Sequence, residues 1–213
     1  MRCDKKDLLL YGVTDRSWLG DRTLAQQVEA SLRGGATMIQ LREKHMDRGS
    51  ILAQALELRE LCGRYGVPLI LNDDAELAQA AGADGVHVGQ SDMEAGRVRA
   101  LLGEDKLIGV SARTVEQALA AQAAGADYLG VGAVFPTGTK QDTRPVSYDT
   151  LKAICAAVDI PVVAIGGIGA GNVAELAGSG IAGVAVVSAL YAQPDVEAAT
   201  RSLRAQVERV VGP

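Results

Sequence analysis

Aromatic side chains are scarce in this 213-residue sequence, at 3%, with one Trp and one Phe. Its apolar content comes instead from Ala, Val, Leu, Ile and Gly, and the length is enough for a full core. Histidine is limited to His45 and His87, so histidine chemistry has few places to reside. The three cysteines, Cys3, Cys62 and Cys155, are scattered, odd in number and contain no CxxC, which argues against a disulfide framework or a zinc cluster. A reducing, cytoplasmic setting is the simple expectation. No run approaches the roughly 18 apolar residues of a membrane span. Residues 1–7 are charged, and the apolar run after them is of strand length, too short for the core of a secretion signal. A basic excess is missing as well: the net charge is −5, which argues against nucleic acid as the main partner. An acidic chain can still hold a basic pocket, so local charge decides the substrate class.

What the sequence does have is alternation. Strand-like apolar runs at residues 8–13, 37–41, 68–71, 85–88, 107–110, 128–131, 161–165 and 183–187 are separated by amphipathic stretches. Those stretches, at residues 23–33, 50–65, 75–81, 93–102, 114–124, 148–158, 170–177 and 195–210, are read as helices. Asp21 or Thr23, Asp74, Asp92 and Ser147 are placed to cap the helices that follow them. Gly34, Gly66, Gly82, Gly103, Gly125 and Gly180 sit where helices should stop. A weak repeat runs through the chain, with a helix stop, a short turn and a strand start at Gly35, Gly82, Gly125 and Gly180. Eight β/α units in this length predict an α/β protein of the (β/α)8 TIM-barrel class, one domain over residues 1–213. An open doubly wound sheet is the structural alternative, but neither the segment after the first run nor Gly166–Gly171 has the GxGxxG spacing of a dinucleotide fold.

In such a barrel the working face lies at the strand C-termini. The residues leaving the runs are polar, and those entering them are bland. Gln40-Leu41-Arg42-Glu43-Lys44 follows an apolar run, and with that run a strand, side-chain alternation puts Gln40, Arg42 and Lys44 on one inward row. A row of cations makes a poor core and a good seat for an anion. Glu43 then alternates away and is expected in a structural ion pair. Asp73 and Asp92 leave neighbouring runs as two hard oxygen ligands suited to magnesium; the bland alternative is that Asp74 and Asp92 simply cap helices, and two acids facing a cationic row favour the metal. Thr137-Gly138-Thr139-Lys140 offers hydroxyls, a cation and close backbone approach, as either an anion loop or an ordinary surface loop; it is not a Walker motif. Gly166-Gly167 and Val187-Ser188 follow the seventh and eighth runs, the usual phosphate position of these barrels. His87 inside an apolar strand reads as a satisfied interior histidine rather than a ligand contact. Trp18, in the loop after the first run, is a candidate cover for the pocket. No Ser/His/Asp triad is indicated.

Taken together, Gln40-Leu41-Arg42-Glu43-Lys44, Asn72-Asp73, His87-Val88-Gly89-Gln90 with Asp92, Val110-Ser111, Gly130-Val131-Gly132 leading to Phe135-Pro136-Thr137-Gly138-Thr139-Lys140, Ala164-Ile165-Gly166-Gly167-Ile168 and Val186-Val187-Ser188 resemble the thiamine-phosphate synthase family. The likeness spans nearly the whole chain in order. It implies a (β/α)8 barrel and a transferase. That enzyme joins an aminomethylpyrimidine-methyl diphosphate to a methylthiazole-ethyl phosphate, with or without a ring carboxylate, and releases diphosphate. By resemblance, Gln40, Arg42, Lys44, Asn72 and Lys140 contact the pyrimidine diphosphate, and Asp73 and Asp92 hold magnesium. Ser111 lies near the reacting carbon, Thr137 and Thr139 contact the thiazole, and Gly167, Val187 and Ser188 bind its phosphate. Lys44, Ser111 and Lys140 are the implied catalytic residues. The implied partners are small phosphorylated molecules, with no nucleic acid, no membrane, and a homo-oligomer left open. After Ser111 the family often has His or Cys where this chain has Ala112-Arg113, leaving Arg113 without a role. A thiazole tautomerase or a non-catalytic phosphate sensor on the same barrel is the alternative, and the retained Arg42, Lys44, Asp73, Asp92 and Lys140 argue against both.

Overall fold

A computed structural model of the chain describes residues 3–137 and 145–212. Eight parallel strands close into a barrel in chain order. They are β1 (Leu10–Val13), β2 (Met38–Leu41), β3 (Leu69–Asn72), β4 (Gly85–Val88), β5 (Leu107–Ala112), β6 (Tyr128–Gly132), β7 (Val162–Ile165) and β8 (Gly183–Val186). The ring closes through β1 against β8, with Tyr11 opposite Ala185. Around it lie α1 (Leu24–Arg33), α2 (Arg48–Tyr65), α3 (Ala75–Ala81), α4 (Ala95–Leu102), α5 (Val115–Ala123), α6 (Tyr148–Ala157), the short α7 (Ser188–Tyr191) and α8 (Val196–Val211). Among the described residues no helix is long and apolar enough to cross a membrane.

Strand alternation divides the core in two. Ile39, Leu41, Leu69, Leu71, Val86, Val88 and Leu129 face outward into the layer shared with the helices. Tyr11, Val13, Met38, Ile70, Leu107, Tyr128, Val163 and Ala185 face inward and fill the barrel. The inward layer carries the large rings, and glycines make room for them. A Cβ on Gly109 would collide with the Tyr128 ring and with His87 Nδ1, and one on Gly130 would meet His87 Cε1 at 2.9 Å.

Most helices begin as the sequence suggests. Thr23 caps α1 in a full capping box with Gln26, and Asp74, Thr114, Ser147 and Asp195 accept from the first turns of α3, α5, α6 and α8. Each cap is worth about 1 kcal/mol. Gly66 and Gly82 end α2 and α3 at φ 65° and 62°, in the left-handed region that costs glycine least.

Four expectations change. The first strand starts at Leu10, because Lys5–Leu8 forms a 3-10 turn capped by Asp4. The helix expected at residues 170–177 shrinks to the 3-10 segment Val173–Leu176. There Asn172 accepts from Gly169 N at 2.9 Å and donates to Gly167 O at 2.9 Å, a local loop arrangement that competes with helix. Glu94, not Asp92, occupies the N-cap of α4, which begins at Ala95. Finally, β2 ends at Leu41, so Lys44 does not extend the strand row.

Candidate active site

The C-terminal strand ends surround a cavity. Its wall includes Gln40 and Arg42 from β2 and its loop, Asn72 from β3, His87 from β4, Ser111 and Arg113 from β5 and its loop, and Thr137 from the loop after β6. Gly166 and Gly167 close it after β7, and Val187 and Ser188 after β8. Of the residues singled out in the sequence, Gln40, Arg42, Asn72, Ser111, Thr137, Gly167, Val187 and Ser188 therefore share one space. Thr139 and Lys140 lie outside the described residues.

The other three, Lys44, Asp73 and Asp92, gather beside this wall rather than in it. Lys44 Nζ lies 2.8 Å from Asp73 Oδ2. Asp73 has φ +66°, alone among the described non-glycine residues in that region. An aspartate tolerates this conformation better than most residues, at a cost of about 1 kcal/mol. Its N–H donates to His87 O at 2.8 Å, while Asp74 caps α3. The two adjacent aspartates thus divide the labour: Asp74 holds the helix, and the kink presents Asp73 to Asp92. Asp92 accepts from Gly89 N at 2.7 Å. Burial pushes both carboxyl groups up in pKa. At Asp73 the hydrogen bonds from Lys44 and Asp92, with the Lys44 charge, outweigh burial and hold it below the usual carboxylate value. At Asp92 burial, opposed by the Gly89 N–H but reinforced by the neighbouring Asp73, leaves the pKa raised. A carboxylate pair that resists full ionisation is one that a cation would relieve.

The cavity wall itself carries two guanidinium groups and, among the described residues, no carboxylate. Arg42 has only a loose partner, Asp15 Oδ2 at 3.9 Å from its Nη1. Arg113 binds Gln117 through its backbone N–H, and its guanidinium makes no ion pair or hydrogen bond among the described residues. Glu43 takes the structural role expected of it: its carboxylate accepts from Arg16 Nε at 2.6 Å and is almost buried. That pair ties the β1 loop to the β2 loop.

At the β7 and β8 ends, Gly166 and Gly167 take consecutive positive φ values of 98° and 66°. The N–H groups of Gly167 and Ser188 have no hydrogen-bond partner among the described residues. A Cβ at Gly167 would strike Pro136 O and Phe135, so glycine also lets the β6 loop pack closely. A second cleft runs on from here, lined by Asp15, Trp18, Pro136, Asn172 and Gln193, and shares Thr137, Gly167, Ile168 and Ser188 with the cavity. Trp18 stands at this cleft, 43% exposed.

Sequence reasoning missed the floor. Tyr11 and Tyr128 reach across the barrel interior, hydroxyl to hydroxyl at 3.0 Å. Gln40 Nε2 donates to Tyr11 at 2.7 Å, and His87 bridges Tyr128 (3.2 Å) and Ser111 Oγ (3.0 Å). The signal was present: both tyrosines occupy the inward parity of their strands, in line with Gln40 and Ser111.

Residues 10–190 match the family model described as thiamine monophosphate synthase. The chain is 48% identical over 199 residues to a thiamine-phosphate synthase of Ruminiclostridium cellulolyticum, covering 93% of this chain and 95% of that one. It is 50% identical over 202 residues to a thiamine-phosphate synthase of Chloroflexus aurantiacus, covering 94% and 93%. Its backbone is similar to that of a solved thiamine phosphate pyrophosphorylase from Pyrococcus furiosus, with a TM-score of 0.90 and 38% identity over 98% of this chain and 99% of that one. A cavity at the strand C-termini with two arginines in its wall, a barrel of this topology and likeness at this level over nearly the full length lead to one conclusion: the chain belongs to the thiamine-phosphate synthase family of transferases.

Proposed function

We propose that the protein couples 4-amino-2-methyl-5-(diphosphooxymethyl)pyrimidine with a methylthiazole-ethyl phosphate, carboxylated or not, to give thiamine phosphate and diphosphate. The C–O bond to the diphosphate breaks first, its electron pair leaving with the diphosphate oxygen and a pyrimidine-stabilised carbocation remaining. The thiazole nitrogen lone pair then forms the new C–N bond. No protein nucleophile is needed, so the lack of a triad is expected.

Such a reaction asks for fixed positive charge where the leaving group gains negative charge. Arg42, Lys44, Asn72 and Lys140 are assigned to the diphosphate, Gln40 to the pyrimidine, and Ser111 to the reacting carbon and the departing oxygen. Thr137 and Thr139 are assigned to the thiazole, and Gly167, Val187 and Ser188 to its phosphate. Lys44, Ser111 and Lys140 act on the bond being broken. A unit charge pair at about 4 Å is worth roughly 4 kcal/mol at an effective dielectric near 20. The donor chemistry beside the cavity fits magnesium: two hard carboxylates, of which Asp92 has its pKa raised by burial and then by the neighbouring Asp73. No group of three His, Cys, Asp or Glu gathers among the described residues, so phosphate oxygens and water would complete the shell. Asp73 and Asp92 would hold the magnesium, which when bound would supply positive charge near the departing diphosphate. The small phosphorylated substrates and free cysteines accord with a cytoplasmic enzyme, alone or as a homo-oligomer.

The observation that carries this reading is the cavity wall with two guanidiniums and, among the described residues, no acid, next to a carboxylate pair. The test is diphosphate release with both substrates and magnesium. Asp73→Ala and Lys140→Ala should each lower turnover per folded molecule by about 10²–10³. Unchanged rates in both would reject the diphosphate site.

A further inference from the structure

We infer that Tyr11, Tyr128 and His87 form a proton-ordered chain through the barrel interior that jointly sets which hydrogen-bonding face Gln40 and Ser111 turn to the substrate. The inference rests on the reading above, in which Ser111 stands beside the departing diphosphate. The five groups run in line, from Gln40 Nε2 to Tyr11 (2.7 Å), Tyr11 to Tyr128 (3.0 Å), Tyr128 to His87 Nδ1 (3.2 Å) and His87 Nε2 to Ser111 Oγ (3.0 Å). They connect β2 to β5 across the core rather than around its rim.

Both tyrosines are essentially sealed from solvent, at 1% and 0% exposure. Among the described residues their hydroxyls meet nothing outside the chain. A phenol has one proton to donate. The Gln40 amide donates to Tyr11, so the Tyr11 proton has one destination, the Tyr128 oxygen. Tyr128 must then donate to His87 Nδ1. A ring nitrogen that accepts carries no proton, so the neutral imidazole bears its proton on Nε2 and donates it to Ser111 Oγ. Ser111 keeps its own proton for the cavity. At the far end Gln40 Oε1 has no hydrogen bond among the described residues, and Gln40 lines the same cavity.

The site therefore presents an acceptor on β2 and a donor on β5. Reversing any one link reverses them all, because otherwise a buried hydroxyl is left with two donors or two acceptors facing it. The donor suits an oxygen that gains negative charge as the C–O bond breaks. The acceptor suits an amino N–H on the pyrimidine. Tyr11, Tyr128 and His87 are positioning residues in this scheme, acting through Gln40 and Ser111. Gly109 and Gly130 are required by it, since a side chain at either would push the His87 or Tyr128 ring out of line.

Imidazole ¹⁵N NMR on the ligand-free full chain reads the proton order directly, with the two histidines told apart by His45→Gln. The expected spectrum has His87 Nδ1 unprotonated and Nε2 protonated, and Tyr128→Phe shifts the Nδ1 resonance. A protonated Nδ1 in the wild type overturns the inference without any variant having to fold. The kinetic arm compares Tyr128→Phe, Ser111→Ala and the double variant. Tyr128→Phe should lower kcat about tenfold with little change in KM and add nothing in the Ser111→Ala background. Multiplicative losses overturn the coupling. Unchanged turnover in Ser111→Ala alone would instead fault the placement of Ser111 in the reaction, while the spectrum still decides the proton order.

Discussion

The two ends of the barrel use arginine in opposite ways. At the N-terminal strand ends, Arg99 donates to Gly103 O (2.8 Å), Lys106 O (2.7 Å), Gly125 O (3.0 Å) and Asp127 Oδ2 (2.6 Å). Asp127 in turn accepts from Ile108 N at 2.8 Å, and nearby Lys106 Nζ donates to Ala83 O at 2.7 Å. Asp84 accepts from Leu69 N at 2.8 Å, and Arg204 reaches Gly35 O at 3.0 Å. Every one of these charges is absorbed by backbone or by an opposite charge. At the C-terminal ends Arg42 has a carboxylate only at 3.9 Å, and the Arg113 guanidinium has no partner among the described residues. A half-buried cation held without a counter-ion is costly to the free protein, and a bound anion recovers that cost. Saturated charge thus marks the end that closes the fold, and unsaturated charge marks the end that binds.

Substitutions at the two ends should separate activity from stability. The largest effect is expected at Lys44→Ala, a loss of about 10²–10³ in turnover with the urea midpoint only slightly lowered, because the pair with Asp73 is half exposed. Next comes Arg99→Ala, which leaves Asp127 only 14% exposed and without its cation. It should cost about 3 kcal/mol in urea unfolding while kcat per folded molecule is kept. If Arg99→Ala lost activity without losing stability, the division between the ends would fail. Arg113→Ala should weaken binding of inorganic diphosphate about tenfold by calorimetry and leave thermal stability in place, since its guanidinium has no partner among the described residues.

The smallest effect concerns pH. Asp92 has its pKa raised, so its contribution to stability is present below the unfolded carboxylate pKa and is lost as pH rises through the folded value. Asp73 is lowered, so its contribution is present above the unfolded pKa and is lost as pH falls through its folded value. Asp92→Asn should therefore raise the urea midpoint at pH 7 and have no such benefit near pH 3, where Asp92 is already protonated. It should also cost activity, a trade between fold and site that none of the N-terminal charges shows.

Much of this was legible in the order of residues. The period of the apolar runs placed all eight strands to within a few residues, because a strand buried on both faces reads as a short continuous apolar run whatever surrounds it. The caps at Thr23, Asp74 and Ser147 were legible because capping is settled within three residues. Asp92 misled for the same reason: an acid before a helix looks like a cap, and only the observed bond to Gly89 N shows it held elsewhere. Lys44 misled because alternation was carried past the end of β2. The helix expected near residue 173 gave way to hydrogen bonds from Asn172 that pattern alone does not weigh.

By itself the sequence determined the barrel, its polarity and the set of polar residues at its mouth, since each follows from periodicity and from what stands next to what. The tertiary structure alone decided the partnerships. Asp73 meets Lys44 across 29 positions, Tyr11 meets Tyr128 across 117, and Arg99 is neutralised where Arg113 has no partner among the described residues. Closing the ring sets those distances, and the same side chain is structural or available according to which neighbours closure brings within 3 Å.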